Sequence, residues 1–316
     1  MKIVNCKLKI LVTGGAGFVG SHLVDALVEK KHNVIVIDNL SSGKKEYINK
    51  KAFFIKGDIV KPKVVEKIIK KYKPIDAVFH LAAQKSVIAS IKDPIYDAKI
   101  NIIGGLRVFE AAKKYQVKKI IFSSTGGALY GDGVKLPTPE NSLIAPESPY
   151  GIAKYSLENY LRLYRNSGIT TQILRYSNVY GPRQDPFGEA GVVAIFCEHI
   201  LRSQNIYVFG DGEQTRDFIF VKDVVEANWQ SLNEQKSGVW NIGTAKETSV
   251  NQIARGLLAI AKVTKSRIIY QPARLGELKR SCIDNSKAQK ELNWVPKVSL
   301  NEGLKKTYQY YAKIAC

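Results

Sequence analysis

Little in this chain of 316 residues could hold a metal or a disulfide framework. It has four cysteines and four histidines, and no CxxC or zinc-ligand spacing relates them. Cys6, Cys197, Cys282 and Cys316 therefore read as reduced thiols, as expected of a cytoplasmic protein. No apolar run approaches the ~18 residues of a membrane span. The amino terminus, MKIVNCKLKILVTGG, is punctuated by charge and runs at once into glycine, so it lacks a signal-peptide shape. Acids are scarce: 28 Asp and Glu stand against 48 Lys and Arg, a net charge of +20. Such a surplus attracts phosphates. The lysines are nevertheless scattered singly and in pairs, with no basic tail and no aromatic-basic block, so nucleic acid is not an expected partner. One further shortage is local. FSSTGGALYG (122–131) offers three hydroxyls in a row, adjacent glycines and a tyrosine, but no acid, histidine or cysteine.

What is present alternates. KLKILVT (7–13), NVIVID (33–38), AFFIKGD (52–58), PIDAVFHLAA (74–83), KKIIFSS (118–124) and TQILRYSNVYG (171–181) read as strands. Helical spacing falls between them, at 17–30, after Pro62, over 95–115 and over 148–168. Strands separated by helices predict a parallel sheet covered on both faces, a Rossmann-type doubly wound α/β fold. The second half is mixed. Short strands are expected near 206–209, 218–220 and 239–242, with helices near 190–203, 222–234, 249–262 and 300–313. This divides the chain into a cofactor-binding domain over 1–180 and a smaller mixed α/β lobe over 181–316, interleaved with the first.

TGGAGFVG (13–20) joins the first strand to the first helix. Its first glycines, Gly14 among them, permit a tight turn; Gly17 lets backbone approach a pyrophosphate, and Gly20 lets helix pack on strand. Phe18 and Val19 lie in the first turn of the helix at 17–30, whose amino terminus turns its partial positive charge toward the phosphates. Asp38 closes the second strand, where a carboxylate accepts hydrogen bonds from a ribose diol and repels a 2′-phosphate. The cofactor is expected to be NAD.

Tyr150 and Lys154 stand four apart on one helix and share a face. Lowering a tyrosine pKa from ~10 by ~3 units takes ~4 kcal/mol. A cation ~4 Å away supplies ~4 kcal/mol at an effective dielectric of ~20. The lysine ammonium together with the positive charge of a nicotinamide can thus offset that gap and some desolvation, making a phenolate base near neutral pH.

Together, TGGAGFVG, Asp38, the Ser/Thr stretch after the fifth strand, YGIAK (150–154) and RYSNVYGPR (175–183) resemble the extended short-chain dehydrogenase/reductases that act on nucleotide sugars. The resemblance runs through nearly the whole chain. It implies Tyr150 as base, Lys154 on the nicotinamide ribose, and a Ser or Thr hydroxyl on the sugar O4. It implies further cofactor contacts at Asn39, Ser42, Lys44, Asp58, Ile59, Leu81, Ala82, Ala83, Lys85, Asn101 and Tyr176. IYVFGDGEQTRDFIFVKDV (206–224) is similar to the family's clamp for uridine diphosphate. Arg216 and Arg274 would grip the diphosphate, since an arginine fork suits phosphate oxygens. Tyr207, Val208 and Phe209 would flank the uracil, with Asn178, Val193, Val87 and Glu277 completing the pocket. The family also implies a homodimer, through helices 95–115 and 148–168.

The local shortage of acid then becomes informative. Members that dehydrate or decarboxylate the sugar carry an Asp or Glu just after the catalytic hydroxyl, and a positioned acid or base is worth roughly 10²–10⁴-fold. Here that place holds Gly126 and Gly127. A 4-epimerase needs no such acid, so reversible C4 epimerisation of UDP-sugars is the expected reaction. A dehydratase or decarboxylase, a net reductase, and a non-catalytic nucleotide- or RNA-binding protein are the rivals. From Phe122 to Tyr130 the chain is one residue longer than the SSSATVYG-like form. The catalytic hydroxyl is therefore Thr125 or Ser124, with Thr125 favoured. Ser281 and Cys282 occupy the segment that limits space beside C2 in related enzymes. Both are small, so N-acetylated UDP-sugars are expected as substrates beside UDP-glucose and UDP-galactose.

Overall fold

The computed structural model describes residues 7–187, 191–262, 265–273 and 278–315. The first half supplies β1 (Lys9–Thr13), β2 (Asn33–Asp38), β3 (Phe53–Lys56), β4 (Ala77–His80), β5 (Lys119–Thr125) and β6 (Thr170–Tyr176). Then β7 (Asn178–Tyr180), β8 (Ile206–Phe209), β9 (Thr215–Arg216) and β10 (Phe218–Phe220) begin a smaller lobe. After β11 (Gly238–Ile242), that lobe is completed by β12 (Thr248–Ser249), β13 (Ile268–Gln271) and β14 (Arg280–Ser281). The main sheet has seven strands in the order β11-β6-β5-β4-β1-β2-β3. All its pairings are parallel. Its central strands are apolar on both faces because helices cover both.

The helices are α1 (Phe18–Glu29), α2 (Val64–Tyr72), α3 (Val87–Lys92), α4 (Pro94–Ala98), α5 (Gly105–Lys114) and α6 (Pro149–Leu163). They continue as α7 (Val192–Leu201), α8 (Val221–Asn233), α9 (Val250–Ala261), α10 (Ser286–Leu292) and α11 (Leu300–Ala315). Leu23 and Leu27 of α1, Val224 of α8 and Leu292 of α10 bury one face of the sheet. Ile68 of α2, Phe109 of α5 and Leu161 of α6 bury the other. A third core, with Phe196 and Leu257 on Ile206 and Phe218, belongs to the lobe. The chain leaves β1 toward β2 and β3, then crosses back to β4 and β5. The order in which strands are added therefore reverses between β1 and β4, and the crevice beyond their carboxyl ends is where such folds take ligands.

Three expectations change. The strand near 239–242, placed with the lobe, is β11 and extends the main sheet beside β6. The segment 171–181 is not one strand: it breaks at Ser177, and β7 leaves the sheet to pair with β10. The helix expected over 95–115 is α4, a π-helical turn at Lys99–Gly104, and α5. The wide turn brings Asn101 inward, where its amide bonds both the N–H and the carbonyl of Gln84.

Candidate active site

The glycine loop is shaped by what surrounds it. Gly14 has φ +72°, and a Cβ there would stand 2.6 Å from the Ala82 nitrogen. The turn after β1 is thus pressed against Leu81 and Ala82, which follow β4. A Cβ at Gly20 would lie 2.1 Å from the Gly14 carbonyl oxygen, which fixes the close approach of α1 to the loop. At Gly17 it would meet only that oxygen, at 3.2 Å, so this edge of the loop is open. Gly17 caps α1 with no side-chain hydrogen bond, and the first intrahelical bond is made by Ser21. The N–H groups of Phe18, Val19 and Gly20 are left facing the crevice without helical acceptors. A pyrophosphate fits this cradle by charge and by space.

Asp38 is 8% exposed and already engaged. One carboxylate oxygen accepts from Ala16 N at 3.0 Å and the other from Leu40 N at 2.8 Å. It braces the loop and retains lone pairs for a ribose diol. Lys44 N donates to the Ala16 carbonyl at 3.0 Å, which folds the 39–44 segment onto the glycine loop. Asn39, Ser42 and Lys44 are exposed on that fold. Asp58 and the buried Ile59 follow β3. Ala83 and the exposed Lys85 continue the loop after β4, and Val87, 39% exposed, opens α3. These residues fit NAD, with Asp38 where the ribose would lie.

Helix α6 is set by its start. Ser148 accepts from Gly151 N at 3.2 Å, and Pro149 occupies the first turn. A Cβ at Gly151 would lie 2.3 Å from the Ala128 carbonyl oxygen, so the start of α6 is pressed against the 126–130 loop. Lys154 is 4% exposed, and its ammonium donates to the Ser123 carbonyl at 2.9 Å. That ammonium stands 5.9 Å from the Tyr150 ring centre. Burial pushes the Tyr150 phenol up, with a smaller push from the Asp97 carboxylate. Burial also brings Lys154 down to about 8, against the opposing pull of Asp97 and Glu158. Burial thus opposes the phenolate in the protein alone, and the positive charge of a bound nicotinamide is the other half of the expected offset.

The hydroxyl stretch separates into roles. Ser123 lies inside β5. Ser124, 4% exposed, donates to Glu158 Oε1 at 2.5 Å and is spent on it. Thr125 ends β5, half-buried, in register with Tyr176. The two glycines beyond it differ. A Cβ at Gly126 would stand 2.7 Å from Ile283 Cδ1, whereas at Gly127 it would meet only Asn178 Oδ1, at 3.5 Å. Gly126 is a packing requirement and Gly127 is open floor beneath Asn178. Tyr176 is 8% exposed; its hydroxyl donates to Asn228 Oδ1 at 2.9 Å, holding the ring behind the site.

On the lobe side, Ser281 pairs with Arg216 across β14 and β9, and Arg216 Nη1 donates to the Thr215 carbonyl at 2.8 Å. Ser281 and Cys282 line one cleft with Gly126, Gly127 and Tyr130. Tyr207 is 45% exposed and Phe209 half-buried, while Val208 and Val193 sit in the lobe core. Arg274 and Glu277 lie outside the described residues, as do Cys6 and Cys316. Among the described residues, no group of His, Cys, Asp or Glu is placed to hold a metal, and no helix is long and apolar enough to cross a membrane.

Sequence reasoning passed over three groups. Asp97, 1% exposed, accepts from Gln84 Nε2 at 2.8 Å and Asn101 Nδ2 at 2.9 Å, and its charge reaches both Tyr150 and Lys154. Glu158 and Arg175 form a buried two-pronged ion pair at 2.9 and 2.6 Å. Glu158 was findable, since it repeats the four-residue spacing that relates Tyr150 to Lys154.

The NAD dependent epimerase/dehydratase family matches residues 10–243. A putative UDP-glucose 4-epimerase of Methanocaldococcus jannaschii is 47% identical over 302 residues, 95% of this chain and 97% of that protein. The crystal structure of Thermotoga maritima UDP-glucose 4-epimerase with UDP-glucose is 51% identical, with a TM-score of 0.95 over 98% of this chain and 100% of that one. Thermus thermophilus UDP-glucose 4-epimerase, in complex with NAD, is 38% identical, with a TM-score of 0.91 over 96% and 99% of the two chains. A match of this extent, on a chain whose loop, carboxylate and Tyr-Lys helix stand in one crevice, leaves one assignment: the protein belongs to the NAD-dependent epimerase/dehydratase family.

Proposed function

We propose that the protein interconverts the C4 epimers of UDP-sugars, UDP-glucose and UDP-galactose among them, through a 4-keto sugar. The carrying observation is the floor of the site. Tyr150 and Lys154 stand over a strand end whose next residues, Gly126 and Gly127, bear no acid for dehydration, and Gly127 is open. NAD, when bound, supplies a reversible hydride acceptor. Tyr150 takes the O4 proton and returns it. Lys154, held by the Ser123 carbonyl, keeps a positive charge beside the phenol. Thr125 bonds O4, since Ser124 is committed to Glu158. Gly14, Gly17, Phe18, Val19 and Asp38 hold the cofactor, with Leu81, Ala82 and Asn101 shaping its other wall. Asn178 and Arg216 hold the diphosphate side with Arg274. Residues 1–180 form the cofactor half and 181–316 the sugar-nucleotide half, interleaved through α8 and β11.

The deciding experiment is to supply NAD and follow UDP-glucose and UDP-GlcNAc separately by chromatography that resolves C4 epimers. Epimer without net reduced nicotinamide supports the reading; a dehydrated or decarboxylated product overturns it. Ser281 gates the second substrate. Ser281→Tyr is expected to cut turnover of UDP-GlcNAc roughly tenfold more than that of UDP-glucose, the scale of one overpacked contact. Equal losses would remove the gate from Ser281.

The working form is a homodimer in the cytoplasm. Ile95, at 81% exposure, Tyr96 and Ile103 on α4 and the π turn, and Ile152, Tyr160 and Leu163, at 64% exposure, on α6 are exposed on elements that pack against one another. An apolar patch of this kind is covered in a working protein, and a second copy presents the same patch. The free, buried Cys197 and Cys282 suit a reducing compartment. Light scattering should give twice the 35.2 kDa chain mass, and Leu163→Lys should return it to one chain.

A further inference from the structure

Behind the sugar site runs a line of buried groups that the reaction leaves unused. It begins on α6 with Glu158, beyond Lys154, which takes Nε and Nη2 of Arg175. Nη1 of Arg175 donates to the Tyr130 hydroxyl at 2.8 Å, and that hydroxyl donates to Asn241 Oδ1 at 3.0 Å. Asn241 Nδ2 donates to the Thr138 carbonyl at 2.9 Å. Thr138 is bridged to Ile283: its N–H donates to the Cys282 carbonyl, and Asp284 N–H donates to its carbonyl, both at 2.9 Å. One end of the line is the helix bearing Tyr150 and Lys154. The other is the segment bearing Ser281, whose Ile283 packs where a Gly126 Cβ would be.

We propose that Tyr130 is a positioning residue for this site, its hydroxyl tying the catalytic helix to the Ser281–Ile283 wall so that the 4-keto sugar stays enclosed while its ring turns over. The proposal rests on the epimerase reading. Epimerisation presents opposite faces of C4 in succession, so the sugar pocket cannot grip the ring tightly. Retention then depends on a wall fixed from outside. Tyr130 is suited to fix it. The residue is 4% exposed, it lines the cleft with Gly126 and Gly127, and burial keeps its phenol protonated and able to donate. Phenylalanine would keep the ring in the cluster with Leu129 and Ile283 and delete only the joint.

Escape of the ketone leaves the two electrons of the C4–H bond on the bound nicotinamide and the O4 proton on Tyr150, so one reduced cofactor appears per ketone released. The experiment compares the NAD-loaded protein with Tyr130→Phe, Asn241→Leu and the double variant. Tyr130→Phe should stay folded and lose about tenfold in kcat, the scale of a severed buried hydrogen-bonded link. Its KM for UDP-glucose should rise, a ketone should be trapped in solution by a hydroxylamine reagent, and reduced-nicotinamide fluorescence should build up on the protein. Asn241→Leu should do the same, and the double variant no worse than either, because each cuts one link. If Tyr130→Phe does not fold, Asn241→Leu carries the same readouts. Unchanged turnover without ketone release, a loss of kcat without ketone, or additive losses in the double variant each overturn the proposal. Failure of the unmutated protein to form any epimer would instead fail the functional reading itself.

Discussion

Tyr150→Phe should lower kcat by roughly 10²–10⁴-fold, the range for removing a positioned acid-base group, while KM and the unfolding midpoint move little. Phenylalanine keeps the ring in the first turn of α6, so the loss falls on proton transfer. The surrounding charges also give the reaction a pH signature. Tyr150 faces Asp97 from α4 and Lys154 on its own helix. Lys154 in turn faces Asp97, Glu158 and His80, the last held neutral by burial at about 3. In the NAD-loaded protein, where the nicotinamide charge adds to that of the lysine in lowering the phenol, activity should rise as the phenol loses its proton and fall as Lys154 loses its own. Asp97 raises both, so Asp97→Asn should slide both limbs of the kcat profile to lower pH. A titration of kcat against pH decides it: an unmoved profile would mean that Asp97 carries no charge in the working protein.

The parts legible in the sequence are those whose cause is local. The glycine loop could be read because each glycine answers to a neighbour within a few residues or to the next strand, and Asp38 because it ends a run of apolar residues. The Tyr150/Lys154 face follows from helix geometry alone. The parts that could not be read depend on distant partners. GVWNI looks like any short lobe strand until β6 is beside it. The wide turn at Lys99–Gly104 follows from Asn101 meeting Gln84, which no periodicity announces. What engages Ser124 is Glu158, thirty-four residues away in sequence and 2.5 Å away in space. The energetics of the phenolate are non-local in the same way: spacing gave the lysine, but the burial that opposes it belongs to the whole fold.

Arg175→Met should be the most destabilising of these substitutions, by about 3–5 kcal/mol, because it strands a buried carboxylate. That is a large share of the ~5–15 kcal/mol available to a folded domain. Glu158 and Arg175 are 0% and 1% exposed at their side chains, so neither can turn to water when its partner is lost. The damage would extend along the network. Ser124 would donate to an uncompensated charge, and Tyr130 would lose its donor from Arg175. Denaturant unfolding should show a lowered midpoint with an unchanged slope if the native fold persists. Replacing both partners, Arg175→Met with Glu158→Leu, should recover part of the loss, since a buried pair taken out together leaves no bare charge. Full recovery would mean that the pair contributes geometry and not stability. The exposed pair Lys306–Glu302 provides the contrast: both side chains reach water, and removing either should leave the midpoint where it was. Burial, not the presence of opposite charges, decides which ion pair the fold depends on.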